Sequence, residues 1–120
     1  MKAGFLQSNA DSLGLGALKG PEVLAVSELV RRIAGLLERQ FPLLRVRGEI
    51  SNLSVASSGH HYFSLKDRQS QIRCVMFRNK AQFMGFRPKE GDMVEVLAQL
   101  SVYEPRGDIQ LQIEQMPPAG

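Results

Sequence analysis

At Leu44 the spacing of apolar residues changes, and that change limits what the chain can fold into. Before it, in VSELVRRIAGLLERQFP, Leu29, Val30, Ile33, Leu36, Leu37 and Phe41 fall at helical spacing and form one apolar stripe. After it, in LRVRGEISNL, Leu44, Val46 and Ile50 alternate with Arg45, Arg47 and Glu49. A period of two is the pattern of a strand with one buried face. The same period returns in HYFSLKD, QIRCVMFRN, MVEVLAQLSVY and DIQLQIEQM. One amphipathic helix followed by five strands must close a small sheet around a single core.

The punctuation between these segments is equally readable. Ser27 is placed to cap the helix, with Glu28 favourable in the first turn, and Pro42 stops it. Gly35 costs the helix about 1 kcal/mol relative to alanine, so packing must hold it. Gly48 interrupts the first strand as a bulge or sharp bend would. Ser51–Gly59 reads as a loop, and NKAQFMGF as a short helix between the third and fourth strands. Glu104–Asp108 is a tight turn, with Pro105 suited to its second position and Gly107 to its exit. Residues 1–21, rich in Gly, Ser, Ala and Asn without a sustained period, read as a flexible leader to one domain at 22–120. Five strands with a helix between the third and fourth is the layout of the OB-fold, a five-stranded Greek-key barrel and a mainly β architecture. The SH3-like barrel is the rival, and it usually lacks that helix.

Composition removes several function classes. A chain of 120 residues with 43% hydrophobic residues supplies one core. No apolar run approaches the ~20 residues of a membrane span, and the N-terminus lacks the apolar core of a secretion signal. A single cysteine, Cys74, excludes an internal disulfide framework and a cysteine-rich zinc site, and fits a reducing cytoplasm. The net charge of +3 permits a nucleic-acid partner without requiring one.

The stretch SSGHHYFSLKDRQSQIRCVMF carries the chemistry. In an OB-fold its two strands are the ligand face, flanked by the first–second and fourth–fifth loops. Single-stranded nucleic acid needs cations for phosphates and flat side chains for bases. Lys66, Arg68, Arg73, Arg78 and Arg106 supply the first; His60, His61, Tyr62, Phe77 and Tyr103 the second. Alternation sorts them. With Phe63 and Leu65 inward, Tyr62, Ser64 and Lys66 face outward. With Ile72, Cys74 and Met76 inward, Arg73, Val75 and Phe77 face outward. The binding set is therefore His60, Tyr62, Lys66, Arg73, Phe77, Arg78, Tyr103 and Arg106. Adjacent histidines on a strand point to opposite faces, so His60 and His61 do not readily share a metal, and no acidic or cysteine ligands lie at the right spacing. Asp67 and Asp108 are turn residues. Cys74 reads as a small core residue, and Arg31, Arg32 and Arg39 as the solvated face of the helix. No cofactor and no catalytic residue is expected in the chain.

VSELVRRIAGLLERQFP, GEISNLSVASSGHHYFSLKD, RCVMFR, FRPKEGDMVEV and SVYEPRGDIQLQIEQMPPAG together resemble the N-terminal domain of exodeoxyribonuclease VII large subunits, from about Val23 to Gly120. The order and spacing of GEISN, SGHxYFSLKD and YEPRGD carry the resemblance. His61 is the main local departure, at a position where the family tolerates other residues, tryptophan among them. The resemblance implies an OB-fold that binds single-stranded DNA within a bacterial cytoplasmic nuclease. It implies degradation of single-stranded DNA from either end to acid-soluble oligonucleotides, and assembly with several copies of a small helical subunit. The family's catalytic domain and the helical region that carries the small subunits follow this domain and have no counterpart in these residues. Two other readings of the residues stand beside it. The barrel can serve mainly as a protein–protein docking module, including self-association, or it can bind RNA such as tRNA.

Overall fold

The computed structural model describes residues 20–117. The proposed leader lies, for residues 1–19, outside the described residues. The chain runs α1 (Val26–Gln40), β1 (Leu44–Val55), β2 (His61–Lys66), β3 (Gln71–Met76), a single turn of helix α2 (Arg78–Ala81), β4 (Met93–Tyr103) and β5 (Asp108–Gln115). The strands close in the order β1-β2-β3-β5-β4, with β4 returning to β1. Every neighbouring pair is antiparallel except β3 and β5, which are parallel. This is the five-stranded OB-fold barrel that the sequence implies.

Period two fills the barrel. Ile50, Phe63, Leu65, Cys74, Met76, Val94, Val96, Ala98, Leu111 and Ile113 point inward and are buried. Met116 lies just past β5 and joins them. Burial pushes the Cys74 thiol up to about 12. Such a thiol is inert at neutral pH, as a core residue should be.

Four expectations change. The helix starts earlier, because Ala25 is its N-cap and Ser27 lies inside the first turn. Glu28 carries the capping, accepting the Ala25 N–H at 3.0 Å. The first strand is longer than its composition suggests: Ser51–Val55 is strand, and the β1–β2 loop is confined to 56–60. Gly48 is not the bulge. It pairs regularly with Val94, and a Cβ there would lie 3.2 Å from the Lys66 carbonyl and 3.3 Å from the Leu65 Cβ. Beside it, Glu49 pairs with Met93 of β4 and also with Lys66 of β2. Glycine is needed here because β1 passes from one neighbour to the other across a tight approach. The bulge itself falls between Ser51 and Ser54, with Asn52 at φ 55°. Finally, Val75 faces outward by register but is buried, between Tyr62 and Gln112 in its row.

Candidate nucleic-acid interface

The outer face of the barrel has a floor that runs across the strands. By pairing register, Ser51 of β1 stands opposite Ser64 of β2, Ser64 opposite Arg73 of β3, Arg73 opposite Gln110 of β5, and Gln110 opposite Ser101 of β4. Arg73 Nη1 donates to Ser64 Oγ at 3.3 Å, and Gln110 Nε2 donates to Ser101 Oγ at 3.3 Å. Ser51, Ser64 and Ser101 are the buried polar residues of the described chain, and all three lie in this row. Ser51 Oγ is buried with no hydrogen-bond partner among the described residues. Serines hold three of the five positions, with Arg73 and Gln110 lying along the row between them. The rows on either side carry Tyr62 and Lys66, so the serines floor a trough between larger side chains.

One side of the trough is aromatic. The His60 ring meets Tyr62 edge-on at 6.4 Å and Phe77 edge-on at 5.4 Å between centroids. Edge-to-face packing fixes the rings at right angles, each contact setting one ring's edge against the other's face, without a face-to-face stack among them. Tyr62 and Phe77 are 36% and 38% exposed. The Arg78 backbone N–H donates to His60 Nδ1 at 3.0 Å, tying the loop before β2 to the end of β3. Because Nδ1 accepts, the neutral ring carries its proton on Nε2. The Arg78 stem lies over Gly59, where φ is 94° and a Cβ would come within 3.0 Å of the Arg78 Cγ. A side chain at 59 would therefore be strained and would push Arg78 away. His61 points the other way, its Nδ1 3.2 Å from the Gly59 carbonyl.

The opposite side is cationic. Lys66 ends β2 across from Gln71. Tyr103 pairs with Asp108, and in the parallel β3–β5 register Asp108 is level with Gln71. Tyr103 and the β4–β5 turn thus stand about six residues along β3 from Phe77, roughly 20 Å at ~3.3 Å per residue. The eight expected residues share the outer face but not one cluster. His60, Tyr62, Phe77 and Arg78 come together, Arg73 is central, and Lys66, Tyr103 and Arg106 lie at the far side. Lys66, Arg68, Arg73 and Arg78 make no ion pair among the described residues, whereas Arg106 pairs with Asp108 at 3.3 Å. The described residues include no group of three or more His, Cys, Asp or Glu arranged to hold a metal, and no helix long and apolar enough to cross a membrane.

Sequence reasoning missed the serine row and Glu90. The serines show only once the strands are in register. Glu90, in the loop before β4, accepts the Asn52 N–H at 2.9 Å and the Leu53 N–H at 3.0 Å with separate oxygens. These bonds, Leu53 first and then Asn52, hold its carboxyl below the ordinary carboxylate range, and the Lys66 charge adds to them. Nothing in the local pattern of RPKEGD marks such a contact.

A family model described as an OB-fold nucleic acid binding domain matches residues 24–117. The chain is 57% identical over 98 residues to the exodeoxyribonuclease 7 large subunit of Ralstonia nicotianae, covering 82% of this chain and 22% of that protein. It is 55% identical over 100 residues to the large subunit from Thiobacillus denitrificans, covering 83% and 22%. The chain thus spans about a fifth of the length of these relatives. Among solved structures, a replication protein A heterotrimer bound to ssDNA superposes with a TM-score of 0.55 at 16% identity, covering 67% of this chain and 59% of that one. Asparaginyl-tRNA synthetase from Pyrococcus horikoshii superposes with a TM-score of 0.53 at 13% identity, covering 74% and 21%. At such identities the superpositions establish the barrel alone. The chain belongs to the OB-fold nucleic acid binding domain family, and it is similar to a segment of the exodeoxyribonuclease 7 large subunits.

Proposed function

We propose that this chain is the single-stranded-DNA grip of a bacterial, cytoplasmic exodeoxyribonuclease VII large subunit. The observation that carries the reading is the outer face of β2–β3, where an edge-packed aromatic trio stands beside cations without ion pairs. His60, Tyr62 and Phe77 offer ring faces to bases, and Lys66, Arg73 and Arg78 neutralise phosphates. Tyr103 and Arg106 extend the contact at the far side. Neither set reads base edges, so the grip is sequence-tolerant. The chain holds the strand, while hydrolysis, and contact with the separate small subunit, belong to regions of the large subunit outside this chain. The identity to exodeoxyribonuclease 7 large subunits supports that context.

Fluorescence anisotropy of a labelled ~20-nucleotide single strand, titrated with the chain at two salt concentrations against duplex and tRNA competitors, tests the reading. With three phosphates neutralised, log K should fall with log salt at a slope of roughly −2. Saturable binding that duplex competes for poorly supports it. Stronger competition by tRNA would move the assignment to RNA. Absence of binding at low salt would overturn the grip and favour docking. Docking has its own observation: Leu29, Ile33 and Leu36 on α1 are 48%, 42% and 51% exposed.

A further inference from the structure

β1 carries one residue more than β2 across the interface. Ser51 pairs with Ser64, but the next pair is Ser54 with Tyr62. Regular continuation would have set Leu53 against Tyr62 and Ser54 against His61. A slip of one residue turns every following side chain to the other face. The extra residue keeps Leu53 packed against the core and places Ser54 beside Tyr62 on the outer face. It also sets the path of the loop that delivers His60.

The bulge needs a backbone conformation that most residues avoid. Asn52 sits at φ 55°, in the left-handed region that asparagine tolerates better than other side-chain-bearing residues. The β1–β4 ladder ends at Glu49–Met93. Beyond it the loop before β4 takes the place of a strand. Asp92 accepts the Ile50 N–H through its carbonyl, the Gly91 N–H donates to the Ile50 carbonyl, and the Glu90 carboxylate receives the Asn52 and Leu53 N–H groups. The two bulge donors are thus satisfied by the two oxygens of one side chain.

We propose that Glu90 is a positioning residue for the nucleic-acid interface, clamping the β1 bulge so that Ser54, Tyr62 and His60 share one wall of the trough. The proposal rests on the single-stranded-DNA reading. Glu90 touches no ligand; it acts through the Asn52–Leu53 backbone.

Glu90→Gln tests it, because glutamine keeps the shape but turns an amide N–H₂ toward one of the two backbone donors. In the 120-residue chain, E90Q should weaken binding of the ~20-nucleotide strand about tenfold, within the usual range of coupling between linked sites. Amide hydrogen exchange at Asn52 and Leu53 should quicken, while β3–β5 amides keep their protection. Adding Asn52→Gly, which accepts positive φ without a Cβ, should recover part of the affinity. Exchange separates the proposal from mere stability. E90Q that loses protection at Asn52 and Leu53 yet binds like the parent overturns it. So does E90Q with unchanged exchange, or E90Q that unfolds throughout, or a double variant no tighter than E90Q. A parent chain that does not bind the single strand overturns the function reading first, and this proposal with it.

Discussion

The two faces of β2 and β3 come from the same twelve residues and do opposite things. Inward, Phe63, Leu65, Cys74 and Met76 are almost without solvent exposure. Outward, the same strands carry Tyr62, Lys66 and Arg73, with Phe77 just beyond, all exposed, over the buried hydroxyl of Ser64. Inside, the requirement is volume, and any side chain of the right size and polarity serves. Outside, the requirement is accessibility, and the protein leaves large rings half in water. Residues that cost the barrel little to change should therefore cost a ligand most, and the reverse.

Phe63→Ala should show the largest effect. Truncating a fully buried phenylalanine destabilises by about 3–5 kcal/mol, a large part of what a domain of this size has. A urea melt should show either a much lower midpoint or no folded baseline. Tyr62→Ala, one residue away, should shift the melt far less than Phe63→Ala, the loss being that of a partly exposed ring beside Val75 and His60, and should weaken single-strand binding by about 1–3 kcal/mol. A Tyr62 variant that unfolds, or one that binds normally, would break the contrast between the faces.

Gly48→Ala sits between the two. The added methyl would press on the Lys66 carbonyl at 3.2 Å and the Leu65 Cβ at 3.3 Å. Relief needs a shift of β2, so a loss of roughly 1–3 kcal/mol is expected from overpacking. Because Lys66 ends the same strand, the shift should also reach the cationic side of the trough. Melts paired with anisotropy would show both effects; a neutral substitution would mean that β1 has slack where it changes neighbours.

The inner face was legible in the sequence because period two is enforced by burial, and burial acts on every second residue alike. Alternation grouped Phe63 with Leu65 and Cys74 with Met76, and left open which group faces inward; the burial of all four settles it. The outer face was legible in its residue types but not in its grouping. That Tyr103 stands level with Gln71, far from Phe77, follows from the parallel β3–β5 pairing, a contact between distant segments. The bulge was misplaced for a related reason. Glycine is the usual local sign of irregular backbone, so Gly48 attracted the reading. The residue that adopts positive φ is Asn52, held by Glu90 from 38 positions away. Ser51–Val55 resembled a loop because Ser51, Asn52 and Ser54 are small and polar, as loop residues are, and the bulge breaks the alternation there.

Arg73→Ala tests the outer face at finer scale. Arg73 is exposed and gives the serine row one hydrogen bond, to Ser64. Its removal should reduce the salt slope of single-strand binding by about 0.7, the share of one phosphate contact. Arg106→Ala should change the slope less, because that guanidinium already has Asp108 as a partner at 3.3 Å. Equal losses at both would mean that the trough draws evenly on all its cations.

Acid should separate the faces in the opposite sense, acting on the loops around the outer face before the core. Three loop carboxyls are held below their ordinary range. Asp67 receives the Gln69 N–H and then the Ser70 N–H, Glu90 the Leu53 and then the Asn52 N–H, and Asp92 the Lys89 N–H. A carboxyl lowered in the folded state binds protons more readily when unfolded. Its contribution is therefore complete above the unfolded value near pH 4 and is lost as pH falls through the lower, folded value. Among the described residues the inner face has only the Cys74 thiol to titrate, at about 12, and contributes nothing to this window. Protection from amide exchange, taken relative to the intrinsic rate at each pH, should therefore fall first at Asn52, Leu53, Gln69 and Ser70 as pH is lowered from about 6, with Phe63 and Cys74 amides protected until global unfolding. In E90Q the acid-dependent step at Asn52 and Leu53 should vanish, because no carboxyl remains there to protonate, while the step at Gln69 and Ser70 stays. Simultaneous loss at all six amides would mean that the loops and the core open as one unit, and that the outer face owes its shape to the barrel and not to its own clamps.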